Sequence, residues 1–338
     1  MPELNINIQD WKGIAVYIDQ TEGAVHPVSL ELIGKAKELS AQENWPVYAL
    51  MIGDGLESLA CEISASYGIK VYLCEHPALR RFLPEPYCNV FAEFIHMVKP
   101  SSILAGATVI GRSLAPKIAA RFGTGLTADC TALEIEENGG LVQIRPAFGG
   151  NIMARIITPA HRPQMATVRY KIFDTPEKIN GVPSVTRFSI DESLLKSRVT
   201  SVSYVKKGKK PDISDAEVVV ALGRAFKSQK ELALAERFAE LLSAELACTR
   251  PLIEAGLFDP TRQIGLSGRT VKPKLIVTLG VSGAVQFKAG MQNADVIFAV
   301  NSDPSAPIFD AAHYAVIGDV FEILPIFIKQ TESRESHV

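Results

Sequence analysis

Short apolar runs alternate along this chain with longer segments whose apolar residues recur at helical spacing. Residues 218–222 and 274–279 are two such runs, and a glycine follows each of them, at Gly223 and Gly280. Nearly continuous apolar strands are typical of parallel sheets, because helices cover both faces of such a sheet. The alternation occurs in both halves of the chain, so the sequence predicts an α/β protein with two parallel sheets.

Length and composition agree with two globular domains. The chain has 338 residues, of which 47% are hydrophobic, and its net charge of -2 gives no indication of nucleic-acid binding. The basic cluster at 206–210 is expected to solvate a linker. No run approaches the roughly 20 apolar residues of a membrane span, and residues 1–5 lack the features of a signal peptide, which predicts a cytoplasmic protein. The five cysteines show no Cys-x-x-Cys spacing, which favours reduced thiols and indicates no metal site.

The first half predicts a mostly parallel sheet with an antiparallel extension. Strands are expected at 13–18, 46–52, 70–73 and 102–105, with helices at 28–39, 56–67, 87–98 and 113–120. From 126 to 169, β-prone stretches are separated by turn signals such as Asn138-Gly139, which is typical of a hairpin. We therefore expect an N-terminal domain over 1–190, followed at 191–214 by a linker with an edge strand near 199–205.

The second half predicts a C-terminal domain over 215–332 and a flexible tail at 333–338. Strands are expected at 218–222, 245–248, 274–279, 295–300 and 314–317, with an amphipathic helix at 229–242 and a helical segment reaching 291. In parallel sheets, ligands bind at the carboxyl ends of the strands. Polar residues follow each predicted strand and should converge on one edge: Arg224, Thr249, Arg250, Ser282, Asn301 and Asp319.

Four motifs in this half occur in a specific order. They are Cys248-Thr249-Arg250-Pro251, Gln263-Ile264-Gly265-Leu266-Ser267-Gly268, Gly280-Val281-Ser282-Gly283-Ala284-Val285-Gln286, and the segment from Asn301 to Phe309. Together they resemble the C-terminal FAD-binding domain of the alpha subunit of electron transfer flavoproteins. Segments of the first half at 106–112, 124–130, 145–152 and 162–169 also resemble the family, in which they shape the face toward the beta subunit.

The resemblance implies a doubly wound, Rossmann-like domain that binds FAD. It also implies a heterodimer with a beta subunit, a mobile C-terminal domain and electron exchange with an acyl-CoA-type dehydrogenase, so that the chain is a redox carrier rather than a stand-alone enzyme. Simple one-flavin carriers and electron-bifurcating forms share this pattern, and both stay open. The alternative from another class is a non-redox regulatory or partner-binding module of the same fold that binds an adenine nucleotide.

The resemblance also gives roles to individual residues. Arg250 is expected against the isoalloxazine, where a permanent cation favours the anionic reduced flavin, and the Ser267 hydroxyl is expected to reach flavin N5. Arg224 and the backbone of 282–286 would serve the dinucleotide, and Asn301 and Asp319 would pair with the adenosine end. The full set of expected cofactor-binding residues is Arg224, Thr249, Arg250, Gln263, Ile264, Gly265, Leu266, Ser267, Gly280, Ser282, Gly283, Ala284, Val285, Gln286, Phe287, Asn301, Asp303, Asp319 and Val320.

Three positions depart from the family pattern. Phe287 stands where a histidine is common, Ala225 replaces a glycine, and Ser302 replaces a lysine. A phenyl ring cannot donate the hydrogen bond that a histidine can. These departures bear on the potential of the flavin rather than on FAD binding itself.

Overall fold

The computed structural model describes residues 7–136, 139–147, 152–199 and 212–335. These residues divide into two compact units. The first contains the described residues up to 147 and from 153 to 199, and the second contains residue 152 and residues 212–335.

The first unit alternates strands with helices, as its apolar pattern predicts. Its strands are β1 Ile14–Tyr17, β2 Gln20–Thr21, β3 Ala24–Val25, β4 Val47–Gly53, β5 Lys70–Glu75, β6 Ser102–Gly106, β7 Leu126–Cys130, β8 Ala132–Ile135, β9 Leu141–Ala147, β10 Ile152–Ile156, β11 Gln164–Val168 and β12 Ser184–Arg187. Its helices are α1 Pro27–Glu43, α2 Glu57–Tyr67, α3 Pro84–Val98 and α4 Val109–Phe122.

Seven strands form the main sheet of this unit, in the order β12-β5-β4-β1-β6-β11-β7, and all their pairings are parallel. Successive strand residues serve opposite faces: Val16 belongs to the core under α1 and α2, and Tyr17 to the core under α3 and α4. Both side chains are almost fully buried. A sheet covered on both faces explains why these strands are continuous apolar runs.

The antiparallel extension is present, but it is a separate sheet. Strands β8, β9 and β10 form it in the order β10-β9-β8, and Ala132 lies opposite Ile144 in the antiparallel pair β8–β9. The turn between these two strands includes Gly139 at φ +77°, while its predicted partner at 138 lies outside the described residues. Strands β7 and β11 join the main sheet instead, because apolar residues such as Val168 are buried there.

The edge strand predicted near 199–205 lies, apart from residue 199, outside the described residues. The structure shows an edge strand before the predicted linker: in β12, Val185 pairs with Val71 of β5. Further along, Glu192–Leu195 forms a 3-10 turn, where Leu194 O accepts a 2.7 Å hydrogen bond from Asn89 Nδ2 of α3. Residues through 199 therefore pack with the first unit, which places its end later than position 190.

The second unit is a single parallel sheet with helices on its faces. Its strands are β13 Val218–Leu222, β14 Glu245–Cys248, β15 Leu275–Leu279, β16 Val296–Asn301 and β17 Tyr314–Ile317, in the order β14-β13-β15-β16-β17. Its helices are α5 Gln229–Leu241, α6 Arg250–Glu254, α7 Val285–Lys288 and α8 Val320–Glu335. This strand order is one of the two common doubly wound arrangements, so the predicted fold class is confirmed.

Two helix predictions differ from the structure. The segment expected to be helical to 291 is helical only over α7, because the chain then bends so that Gly290 packs against the backbone of Gly265. Helix α8 continues three residues into the predicted tail, to Glu335, and residues 336–338 lie outside the described part. Within the described ranges, no helix is long and apolar enough to cross a membrane.

Candidate functional site

A pocket of about 490 Å³ opens at the carboxyl ends of the strands in the second unit. It lies where the strand order reverses, between β13 and β15, and its volume is typical of small-molecule sites. Segments that follow β13, β14 and β15 form its walls together with the loop 263–267. The lining residues are Gly223, Arg224, Thr249, Arg250, Pro251, Gln263, Ile264, Gly265, Leu266, Ser267, Gly280, Val281, Ser282, Ala284, Gln286 and Phe287.

Two glycines allow the turns after β13 and β15 to approach each other. The N–H of Gly223 donates to Leu279 O at 2.9 Å, and a Cβ at Gly223 would lie 1.9 Å from Gly280 O. Gly280 has φ +63°, and its own Cβ would lie 2.6 Å from Ala225 Cβ. Any larger residue at either position would separate the turns, so this wall of the pocket is bare backbone.

Backbone donors are available in the turn after β15. Among the residues that the structure describes, none accepts a hydrogen bond from the N–H of Ser282, Gly283 or Ala284. Gly283 has φ +84°, and its Cβ would lie 2.1 Å from the backbone nitrogen of Ile308. A row of unpaired backbone N–H groups suits phosphate or carbonyl oxygens, so this turn can bind an anionic ligand.

Two cations lie at the pocket. Arg224 follows Gly223 directly, and Arg250 starts α6 with Pro251 in the first turn of the helix, where proline is well tolerated. The Nε of Arg250 donates to Glu254 Oε1 at 2.8 Å, and the Arg250 side chain is 69% exposed. An exposed pair at i,i+4 is worth only about 0.3–0.5 kcal/mol. Arg250 can therefore exchange Glu254 for a ligand at low cost.

The loop 263–267 is held by backbone hydrogen bonds. Ile264 N donates to Cys248 O at 3.0 Å, Leu266 N to Gln286 O at 2.9 Å, and Gly265, at φ +136°, lies against the backbone of Gln286. On the pocket side of this loop, Gln263 Nε2 donates to Ser267 Oγ at 2.8 Å. The loop therefore presents one buried amide and one accessible hydroxyl to the pocket in a fixed arrangement.

The predicted residues beyond β16 and β17 do not line this pocket. Asn301 uses both ends of its amide within the chain, since Nδ2 donates to Val281 O at 2.7 Å and Oδ1 accepts from Asp303 N at 2.9 Å. Asp319 accepts from Phe321 N at 2.8 Å at the start of α8. Val320 is 4% exposed, in the core. Gly283 and Val285 also lie outside the lining, and the ligand-binding roles of all these residues stay predictions.

Phe287 borders the pocket and also belongs to the core of the second unit. Its side chain is only 5% exposed, so packing accounts for a phenyl ring at this position. The pocket is also lined by three residues outside the set predicted from the sequence, Gly223, Pro251 and Val281. All three directly flank predicted residues. Gly223 could have been predicted as well, because it is a glycine directly after an apolar strand.

Comparisons with known proteins agree with this geometry. Residues 14–193 match the electron transfer flavoprotein domain, and residues 212–292 match the electron transfer flavoprotein FAD-binding domain. The LctC subunit of a lactate dehydrogenase (NAD(+),ferredoxin) from Acetobacterium woodii is 55% identical over 329 residues, which cover 97% of this chain and 78% of that protein. An electron transfer flavoprotein subunit alpha from Thermoanaerobacterium thermosaccharolyticum is 37% identical over 96% of this chain and 98% of its own length. Protein FixB of Clostridium saccharobutylicum is 39% identical over 97% of this chain and 98% of its own length.

Proposed function

Because the chain belongs to the electron transfer flavoprotein family as an alpha-type subunit, we propose that it carries electrons in a complex that exchanges electrons among lactate, NAD and ferredoxin. The observation that carries this proposal is the 55% identity to LctC over 97% of the chain. A beta-type subunit is the proposed partner, and a reaction that joins three redox couples is typical of flavin-based electron bifurcation or of its reverse. Cytoplasmic location is part of the same proposal.

FAD is the cofactor of the second unit, and the residues at the pocket fit it. The bare backbone of Gly223 and Gly280 permits close approach of a dinucleotide, and the N–H groups of Ser282–Ala284 can bind its phosphate or carbonyl oxygens. When bound, FAD supplies one- and two-electron transfer. The protein supplies binding, orientation and electrostatics.

We assign the remaining tasks to side chains of the lining. Arg224 and Arg250 place positive charge at the pocket, which favours a ligand that carries or gains negative charge. The hydroxyl of Ser267 can donate a hydrogen bond to a ring acceptor. Ile264 and Phe287, both buried, exclude water from the same wall. Movement of the FAD-binding unit relative to the first unit is also proposed, since a carrier serves more than one partner.

The rival function is a non-redox module that binds an adenine nucleotide. The pocket brings Arg250, Ser267 and Gln286 together. These groups have a role beside a flavin ring, whereas a site that binds only an adenine nucleotide does not need them. Within the redox reading, an acyl-CoA-type dehydrogenase is the alternative to a lactate-oxidising partner, and the identity to LctC favours the latter.

Co-purification with the beta-type subunit tests the proposal. We expect a yellow heterodimer with two flavins, whose reduction by lactate requires the matching dehydrogenase subunit and whose turnover with NAD depends on ferredoxin. One flavin per heterodimer, reduced by an acyl-CoA dehydrogenase and its substrate, would support the simple carrier instead. A colourless protein that retains adenine nucleotide would support the rival module.

A further inference from the structure

The hydrogen bond between Gln263 and Ser267 carries a further inference. Gln263 is 9% exposed, and its Nε2 donates to Ser267 Oγ at 2.8 Å, whereas Ser267 is exposed at the pocket. A serine hydroxyl has two lone pairs and one hydrogen. Since the amide occupies a lone pair, the hydrogen of Ser267 is left for another acceptor.

We propose that Gln263 is a positioning residue that fixes the polarity of the Ser267 hydroxyl, so that Ser267 donates to an acceptor atom of the bound flavin ring. This inference rests on the proposed function only in requiring FAD in this pocket. It assigns to Gln263 the orientation of the donor and to Ser267 the contact itself.

The loop backbone supports this division of roles. Arg269 N donates to Gln263 O at 2.7 Å, and Gly268 N donates to Gly265 O at 3.0 Å, so both ends of the side-chain hydrogen bond are attached to a closed loop. A Cβ at Gly268 would lie 2.3 Å from Gln263 O, which shows how tightly the loop is closed. The hydrogen bond between the two side chains therefore does not depend on a bound ligand.

Reversing the donor tests the proposal. At pH 8, the carboxylate of a Gln263→Glu variant accepts the Ser267 hydrogen, which turns the hydroxyl into an acceptor toward the pocket. The probes are FAD and 5-deaza-FAD, which has a C–H in place of the N5 acceptor. Both are titrated into the full-length protein, freed of FAD and kept with its partner subunit, and binding is followed by flavin fluorescence.

We expect Gln263→Glu and Ser267→Ala each to lower the preference for FAD over 5-deaza-FAD by roughly three- to tenfold, the effect of one hydrogen bond. The double variant should resemble Ser267→Ala alone, because the two residues act through one contact. Gln292→Glu is the matched control: it makes the same change of side chain at an exposed position of the same unit outside the lining, and it should leave the preference as in the wild type.

A second variant protects the test against misfolding. Gln263→Met keeps the volume of the side chain and removes its donor, and it should lower the preference by a smaller factor than Gln263→Glu does. A wild-type preference in both Gln263 variants, together with its loss in Ser267→Ala, would overturn the positioning role. Equal binding of the two flavins by the wild type would overturn the donor role, and binding of neither would overturn the proposed function itself.

Discussion

Glu31 is a carboxyl group in the interior of the first unit. It lies on α1, its side chain is 4% exposed, and its two oxygens accept from Lys171 N at 3.1 and 3.2 Å. Burial raises the pKa of Glu31 to about 7, although hydrogen bonds from the backbone of Lys171, Phe173 and Ile172 act in the opposite direction. The group therefore titrates near neutral pH.

The sign of its effect on stability follows from the direction of this shift. Because the pKa in the folded protein is about 7, above the ordinary 4.5, the folded state binds more protons than the unfolded state between these values. The stability that Glu31 contributes is full below about pH 4.5 and is lost as the pH rises toward 7. At roughly 1.4 kcal/mol for each unit, the loss between pH 5 and pH 7.5 is about 2 kcal/mol.

Glu31→Gln removes this titration, and urea unfolding can measure the consequence. The protein has two tryptophans, Trp11 and Trp45, and both belong to the first unit, so their fluorescence reports the unit that holds Glu31. We expect the difference in unfolding free energy between wild type and variant to fall by about 2 kcal/mol from pH 5 to pH 7.5. The control Glu38→Gln changes an exposed carboxylate of the same helix and should give no such difference. Parallel pH profiles for wild type and Glu31→Gln would refute the reasoning.

Three other changes have defined outcomes. Arg250→Ala should leave FAD bound and make reduction of the flavin less favourable by about 1 kcal/mol, which lowers its midpoint potential; the effect is small because the lost cation is exposed. Glu254→Gln should raise the midpoint potential. Potentiometric titrations that agree for both variants and the wild type would contradict this. Gly223→Ala should abolish FAD retention, since its Cβ would meet the carbonyl of the facing turn. The control Gly256→Ala, at φ +71° in open space, should lower the stability of the protein by only about 1 kcal/mol and keep FAD. The flavin absorbance per protein chain distinguishes the two outcomes. A thiol reagent should modify Cys61 alone in the native protein, because the other four thiols are buried. Mass spectrometry that shows any of these four labelled as fast as Cys61 would contradict this prediction.

The sequence predicted the strands that are buried on both faces. The runs expected at 274–279 and 295–300 are β15 and β16 within one residue, because burial of successive side chains produces a continuous apolar run. Strand β12 was missed since it has only four residues, two of them exposed and two partly buried, and its partner, β5, is distant in the chain. A half-buried edge strand leaves too short a pattern to detect.

Part of the site could be predicted from the ends of the strands. Arg224, Thr249 and Ser282 each follow a predicted strand and were expected to meet at one edge of the sheet, and all three line the pocket. The loop 263–267 came only from the resemblance to the family, since no periodicity marks a loop of this kind. The contact between Gly223 and Gly280 depends on the pairing of β13 with β15, which a linear pattern does not contain.

The position of β11 has a consequence for the order in which the first unit can form. β11 lies between β6 and β7, although β8, β9 and β10 separate it from β7 along the chain, and its Gln164 pairs with Ser102. At the other edge, Ser184 of β12 pairs with Lys70. Contacts so distant in sequence slow folding, and a chain emerging from the ribosome cannot complete this sheet until β12 has been made. A fragment that ends before β11 exposes unpaired edges of β6 and β7, which invite association with other chains, whereas one that extends past Leu195 contains all seven strands.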